Sequence, residues 1–178
     1  MVSMATFDTY SGNFESSLEE VSLKQTFLNS AMEMVSSYIG YSIEEKIYED
    51  ELIESAGSRV LFFPASPIKE ITYLSIGGLT FDTNILKFKG DKVHIKGYGY
   101  FPKGFAVATF KAGWTEENLP STIKETILRI ATLMLAETNG NIGVTSKTFG
   151  DNTRSFVQYT NYAKYLEPLQ MYKLYKVV

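Results

Sequence analysis

The sequence predicts an α+β fold, in which a helical core carries an inserted block of short antiparallel β-strands. A long apolar pattern at helical spacing follows Pro120, and period-two segments punctuated by glycine and proline fill residues 43–111. The order of segments is an N-terminal helix, the strands, a central helix and a C-terminal helical tail. A chain of 178 residues with this order is expected to form a single domain over 1–178.

The N-terminal part of the core is an amphipathic helix preceded by an arm. Residues 1–15 are polar and weakly patterned, which predicts a mobile N-terminal arm. Ser17 and Glu20 fit a capping box, with serine at the cap and glutamate three residues later. An apolar face continues at helical spacing to Ile39, and Gly40 stands where a left-handed cap belongs. These signals predict a helix of about 22 residues.

The first strands of the inserted block are acidic or proline-bounded. Residues 43–53 are acidic with scattered apolar positions, and they fit an edge strand, which we favour, or a short helix. A compact strand over 59–63 is predicted to end at Pro64 and Pro67, because proline cannot donate to a sheet ladder.

The later strands are separated by turn residues. A strand over 68–76 is predicted, with Ile68, Ile71 and Tyr73 facing inward and Leu74 as a further inward candidate. Two glycine-containing dipeptides predict hairpin turns, Gly77-Gly78 and Gly90-Asp91. The last strand of the block covers residues 105–111 and leads to the central helix.

The central helix is the predicted centre of the core. Its apolar residues cover most sides, while Glu125 and Arg129 stand four residues apart on a narrow polar strip and form a favourable pair. A helix this apolar packs between several partners. The predicted core residues, including the tryptophan at the strand-to-helix corner, are Trp114, Ile123, Ile127, Ile130 and Met134.

Residues 156–178 form an aromatic C-terminal tail with helical spacing that bends near Pro168. Five of the 12 tyrosines fall in the last 20 residues. Because tyrosine gives a large contact area at low entropic cost, this tail is predicted to contact another subunit or another protein. The alternative is a last helix that closes the domain. The candidate interface residues are Tyr159, Tyr162, Tyr165, Tyr172, Lys173 and Tyr175.

Charge is unevenly distributed along the chain, whose net charge is −3. Residues 1–58 carry 11 acidic and 2 basic side chains, whereas residues 59–111 carry 8 basic and 3 acidic ones. This asymmetry suggests complementary faces on one molecule, with two solvated faces as the alternative.

No residue pattern indicates catalysis, so we expect no enzyme, no cofactor and no metal site. The chain has no cysteine, and its single histidine, His94, has no second histidine or nucleophile motif beside it. The acidic residues of 44–54 lack the spacing of a calcium loop. No run approaches the ~20 apolar residues of a membrane span, so no membrane partner is expected.

A cluster of lysines near Phe88 and Tyr98 is a weak signal for binding of single-stranded nucleic acid: Lys87, Lys89, Lys92 and Lys96.

Four stretches, in order, carry a family resemblance. They are Ser36-Ser37-Tyr38-Ile39-Gly40-Tyr41, the strand–proline–proline–strand run of 60–71, Phe110-Lys111-Ala112-Gly113-Trp114 followed by Leu119-Pro120 and Ile123-Lys124, and Phe149-Gly150-Asp151 with the closing Leu166-Glu167-Pro168-Leu169. Together they resemble the head–tail connector family of long-tailed bacteriophages, also called adaptor or head-completion proteins. Tyr41 stands where the family usually has arginine. The resemblance covers roughly residues 20–175.

The resemblance implies a structural virion protein, organised as one connector-like domain. Family members form rings, commonly of twelve subunits, that join the portal to the tail and line the channel through which DNA passes. For this chain it implies a homo-oligomeric ring, with the portal protein and a tail-side stopper or tail-completion protein as partners. DNA would be only a passing, non-specific contact. The implied location is the virion head–tail junction, after synthesis in the bacterial host cytoplasm.

Two other functions stay open at this point. Another tail or baseplate subunit would share the richness in aromatic residues. A small nucleic-acid-binding domain would show salt-dependent affinity through the lysine hairpin, although the acidic overall balance opposes strong binding.

Overall fold

A computed structural model describes residues 1–12, 18–97, 99–138, 146–149, 152–155 and 162–174. These residues form two compact units. The helical unit is built from the described parts of Met1–Ile39 and Asn118–Lys173, and the sheet unit from Gly40–Glu117. The predicted α+β class is confirmed. The strand insertion expected over 43–111 falls inside the sheet unit, and the single connector-like domain over 1–178 stays a prediction.

The helical unit contains four α-helices and a 3₁₀ helix among its described residues. Their bounds are α1 Met4–Ser11, α2 Leu18–Ile39, α3 Ser121–Thr138, α4 Tyr162–Leu166 and the 3₁₀ helix Glu167–Tyr172. A short antiparallel strand pair, β8 Ser146–Phe149 and β9 Asn152–Ser155, was not predicted. Helix α2 ends before Gly40, whose φ of 93° confirms the predicted left-handed position. The predicted cap residue, Ser17, lies outside the described residues.

Helix α1 corrects the prediction of a mobile arm over 1–15, which is wrong for Met4–Ser11. The Ser3 side chain accepts a hydrogen bond from the Thr6 backbone N–H and caps the helix. Phe7 is fully buried, and the Lys24 ammonium of α2 lies 2.9 Å from the Asp8 carboxylate. The buried Phe7 ring and this ion pair therefore hold α1 in place. The helix is too short for its apolar residues to show a helical period in the sequence.

Helix α3 occupies the centre of the helical unit, as predicted. Ile123, Ile127 and Ile130 have no exposed surface, and Met134 is half-buried. The predicted ion pair joins Glu125 and Arg129 over 2.5 Å on the exposed strip. The hydrogen bond that the Arg129 guanidinium donates to Glu125 raises the pKa of Arg129 further, although an exposed pair of this kind adds little stability. Burial of the isoleucine row is what fixes the position of α3.

Two antiparallel sheets make up the sheet unit among its described residues. Strands β1 Lys46–Ala56, β3 Ile68–Ile76, β4 Leu79–Thr80 and β7 Lys103–Ala112 form a sheet in the order β1-β7-β3-β4. Strands β2 Val60–Phe62, β5 Leu86–Lys89 and β6 Lys92–Ile95 form a second sheet in the order β2-β6-β5. The preferred interpretation of 43–53 as an edge strand is confirmed, because β1 lies at the edge of its sheet.

Aromatic rings fill the inner side of the four-stranded sheet. The Phe110 ring of β7 stacks on Tyr48 of β1 and meets Phe63 edge-on, with ring centroids 4.7 Å apart in both pairs. Both predicted hairpin turns are present: Gly77-Gly78 joins β3 to β4, and Gly90-Asp91 joins β5 to β6. Gly77 and Gly78 both have positive φ, as a tight two-residue turn requires.

Tyr73 corrects a predicted orientation in β3. Ile68, Ile71 and the further candidate Leu74 are buried, as expected, but Tyr73 is 40% exposed. The register of β3 against β7 shifts between Ile71 and Tyr73, so the alternation changes face at this irregularity. Tyr73 therefore lies on the outer side of the sheet.

Candidate assembly interface

The described part of the tail packs into the helical unit rather than projecting from it. Leu166 and Leu169 are buried, and Tyr162 is only 6% exposed while its hydroxyl donates to the Glu137 carboxylate over 3.1 Å. The Thr126 hydroxyl of α3 donates to the backbone oxygen of Tyr165 over 3.4 Å. Its own unit therefore uses both the ring and the hydroxyl of Tyr162, which leaves little of this predicted interface anchor for a partner.

Other tail residues remain accessible. Tyr165 and Tyr172 are half-buried, and Lys173 is exposed, with its ammonium 3.7 Å from the centre of the Tyr38 ring. Met171 is 77% exposed. Each of these four side chains keeps part of its surface exposed, and their role as contacts stays a prediction. Two further candidates, Tyr159 and Tyr175, lie outside the described residues.

An open groove of about 540 Å³ lies on the helical unit beside the tail. One side chain of α4, Leu166, lines it together with residues of α2: Ser30, Glu33, Met34, Ser37 and Tyr38. Small, apolar and acidic side chains in one concave surface suit a protruding side chain of a protein partner. The groove was not predicted, because serines and a glutamate on α2 are typical of a solvent-facing helix side. The only available signal was the seven-residue spacing of Ser30 and Ser37, which keeps two small residues on one face.

The corner that follows β7 is a tightly built feature of the sheet unit. Trp114 is 8% exposed, as its predicted core role requires, and its ring lies 5.9 Å from that of Tyr41. The Trp114 backbone N–H donates to the Ile43 oxygen, and the Trp114 oxygen accepts from the Glu45 N–H. The Lys111 ammonium lies 2.6 Å from the Glu45 carboxylate, and this hydrogen bond raises the pKa of Lys111.

The described side chains provide no cluster suited to a metal ion. Within that part of the chain, no three His, Asp or Glu residues gather as metal ligands would. His94 is an exposed residue of β6, opposite Val60 and Lys87. No helix among the described residues is long and apolar enough to span a membrane. What the described surface does offer is a groove, accessible aromatic and basic tail side chains, and exposed sheet faces, which are features of protein–protein contact.

The fold is shared with chains of gene transfer agent (GTA) particles. The chain superposes on one from the neck of an empty GTA particle computed with C6 symmetry, with a TM-score of 0.61 and 11% identity over 99% of this chain and 91% of that chain. A chain from the virion of a native GTA particle gives a TM-score of 0.58 and 12% identity over 99% and 91%. A chain from the neck of a native GTA particle computed with C12 symmetry gives a TM-score of 0.54 and 10% identity. The match covers 87% of this chain and 84% of that chain. The sequence matches no protein-family model and no curated protein significantly.

Proposed function

We propose that this chain is a structural subunit of the neck of a tailed particle, where it forms a ring at the head–tail junction. The likeness to a chain from a particle neck, with a TM-score of 0.61 over 99% of this chain, carries the proposal. Near-complete coverage matters because it includes both the helical unit and the inserted sheets. Two of the similar chains come from necks treated with C6 and C12 symmetry. A ring is therefore the arrangement that we propose for copies of this chain, twelve being our expected number.

The proposed partners follow from the position of such a ring. One side of the ring would meet the portal protein, and the other a tail-side stopper or tail-completion protein. The groove on α2 and the exposed residues of the tail, Met171 and Lys173, are the surfaces that we assign to these neighbours. DNA would pass through the ring without tight binding, which the net charge of −3 favours because phosphate affinity requires a surplus of basic groups.

Negative-stain electron microscopy and light scattering of the purified protein test the ring. A ring of twelve 20.0 kDa chains would have a mass of about 240 kDa and a central opening. Purified protein that keeps the mass of a single chain at every concentration, with no annular particles, would contradict self-assembly by this chain.

A nucleic-acid-binding domain is the second candidate, because three exposed lysines share one face of the β2-β6-β5 sheet: Lys87, Lys89 and Lys92. The neck proposal predicts no tight duplex binding at physiological salt. Sub-micromolar affinity that falls steeply as salt rises would favour the second candidate instead.

A further inference from the structure

The four-stranded sheet has an outer face whose apolar side chains remain open. The strand register places Leu52 beside Val107 and Tyr73 beside Thr109, all on the side away from the buried Phe110. Leu52 and Phe105 are each 64% exposed, and Ile47 is 62% exposed. We call this surface, with Ile47, Leu52, Tyr73, Phe105 and Val107, the outer face. An exposed apolar surface of this kind marks a contact site on a protein.

The border of the outer face is acidic. On the outer side, Glu54 of β1 lies directly opposite Phe105. The Lys111 ammonium on the same side is already paired with the Glu45 carboxylate. Glu49 and Asp50 form a bulge, because two residues of β1 there oppose one residue of β7. Asp50 has a φ of 49°, and both side chains are exposed. A charged bulge on an edge strand hinders strand-to-strand pairing, so contact through the side chains of this face is the arrangement that the edge permits.

The other sheet has a basic face. Its register aligns Lys87 with His94 and Lys89 with Lys92, and all four side chains are exposed. We call this surface, with Lys87, Lys89, Lys92 and His94, the basic face. The exposed ammonium groups of Lys87 and Lys89, two residues apart on β5, give this face a positive charge that an anionic surface would complement.

We propose that the outer face of one copy of this chain binds the basic face of the next copy around the ring. A ring of more than two copies uses a heterologous contact, in which two different patches of the same chain meet. The two sheets supply such patches, one apolar with carboxylates at its border and the other carrying ammonium groups. The inference rests on the proposed ring and identifies which surfaces would close it.

A second copy explains more of the surface than DNA does. Phosphate groups would satisfy the lysines of the basic face, but they would leave the apolar and acidic outer face without a partner. Contact between copies covers the apolar residues and pairs the charges of both faces at once. It also places ammonium groups beside carboxylates in a partly desolvated contact, where charge complementarity selects the partner.

Charge reversal at each face tests the proposal. The variant Lys87→Glu/Lys89→Glu makes both faces acidic, and Glu49→Lys/Glu54→Lys makes both basic. Each variant alone should need about tenfold more protein than the parent to form rings, because like charges then meet at every contact. An equimolar mixture should recover assembly, since copies of the two variants can alternate. Assembly of the parent should also weaken in about 1 M salt, where the screening length is about 3 Å.

Glu117→Lys is the matched control, because this exposed carboxylate lies on neither face and its reversal should leave assembly unchanged. Thermal melting of each variant checks that the units remain folded. If reversed variants form rings as the parent does, or if the mixture fails to recover, the assignment of faces is wrong while the ring proposal stands. If the lysine variant instead loses affinity for a short DNA duplex with assembly unchanged, the basic face binds nucleic acid. If the parent itself forms no ring, both proposals fall.

Discussion

Replacing Gly113 by alanine should destabilise the sheet unit far more than an ordinary glycine substitution. Gly113 has a φ of 111°, and a Cβ placed there would lie 2.4 Å from the Glu44 oxygen and 2.8 Å from the Glu45 Cα. Both neighbours are backbone, so no side-chain rotation relieves the clash. The segment around Glu44 must move away from the corner, which removes the hydrogen bonds that join Trp114 to Ile43 and Glu45.

The cost of Gly113→Ala has two parts. The unfavourable backbone conformation costs about 1–3 kcal/mol for a residue with a Cβ. Loss of the two corner hydrogen bonds adds about 1 kcal/mol each. The expected total of about 3–5 kcal/mol corresponds to a fall in Tm of roughly 6–20 °C for a chain of this size. Differential scanning calorimetry or thermal melting followed by circular dichroism measures this change.

Gly77→Ala is the matched control. Gly77 also has a positive φ, 57°, but no atom would lie within 4 Å of an alanine Cβ at this position, so only the conformational cost of about 1–2 kcal/mol applies. Equal losses of stability for the two variants would refute the reasoning, because the close approach of Glu44 would then contribute nothing.

Three further substitutions test the packing and the titration of single groups. Ile127→Ala should cost about 2–5 kcal/mol in a denaturant titration, because the side chain is fully buried, and an unchanged midpoint would show that α3 is not central. Thr132→Val should be neutral or should stabilise by about 1 kcal/mol, because the Thr132 hydroxyl is buried without a hydrogen-bond partner in the described structure; a clear loss of stability would reveal a partner. Burial, and then the nearby Glu51, raise the pKa of the Tyr48 hydroxyl above 10.0. The neutral hydroxyl therefore contributes its full stability to the fold below pH 10.0, and this contribution is lost as the pH rises through the folded-state pKa. Tyr48→Phe should therefore reduce the fall in Tm between about pH 9 and about pH 11, and an identical fall would contradict this assignment.

Predictions from the sequence were correct where local signals decide structure. Dipeptide turns such as Gly77-Gly78 and the apolar row of α3 depend on neighbours within a few residues, so composition and spacing were sufficient. The edge position of β1 was also predictable, because an acidic strand is poorly suited to a sheet interior.

The failures arose where distant contacts decide. Burial of Phe7 by tertiary packing holds α1 in place, and a register shift turns Tyr73 outward. Neither effect produces a periodic pattern in the sequence. Tyr162 illustrates the same limit at the candidate interface, because a tyrosine in an aromatic tail suits a core and a contact surface equally well. Gly113 follows the last predicted strand, but the need for glycine there comes from Glu44, a residue nearly seventy positions earlier in the chain.

The central claim concerns the place of this chain in an assembled particle, and cryo-electron microscopy of the particle neck tests it most directly. We expect a symmetric ring of this chain between portal and tail, in which both the helical unit and the sheet unit are recognisable and DNA passes through the centre. A reconstruction that places the chain at the tail tip or baseplate, or a neck ring built from other chains alone, would contradict it.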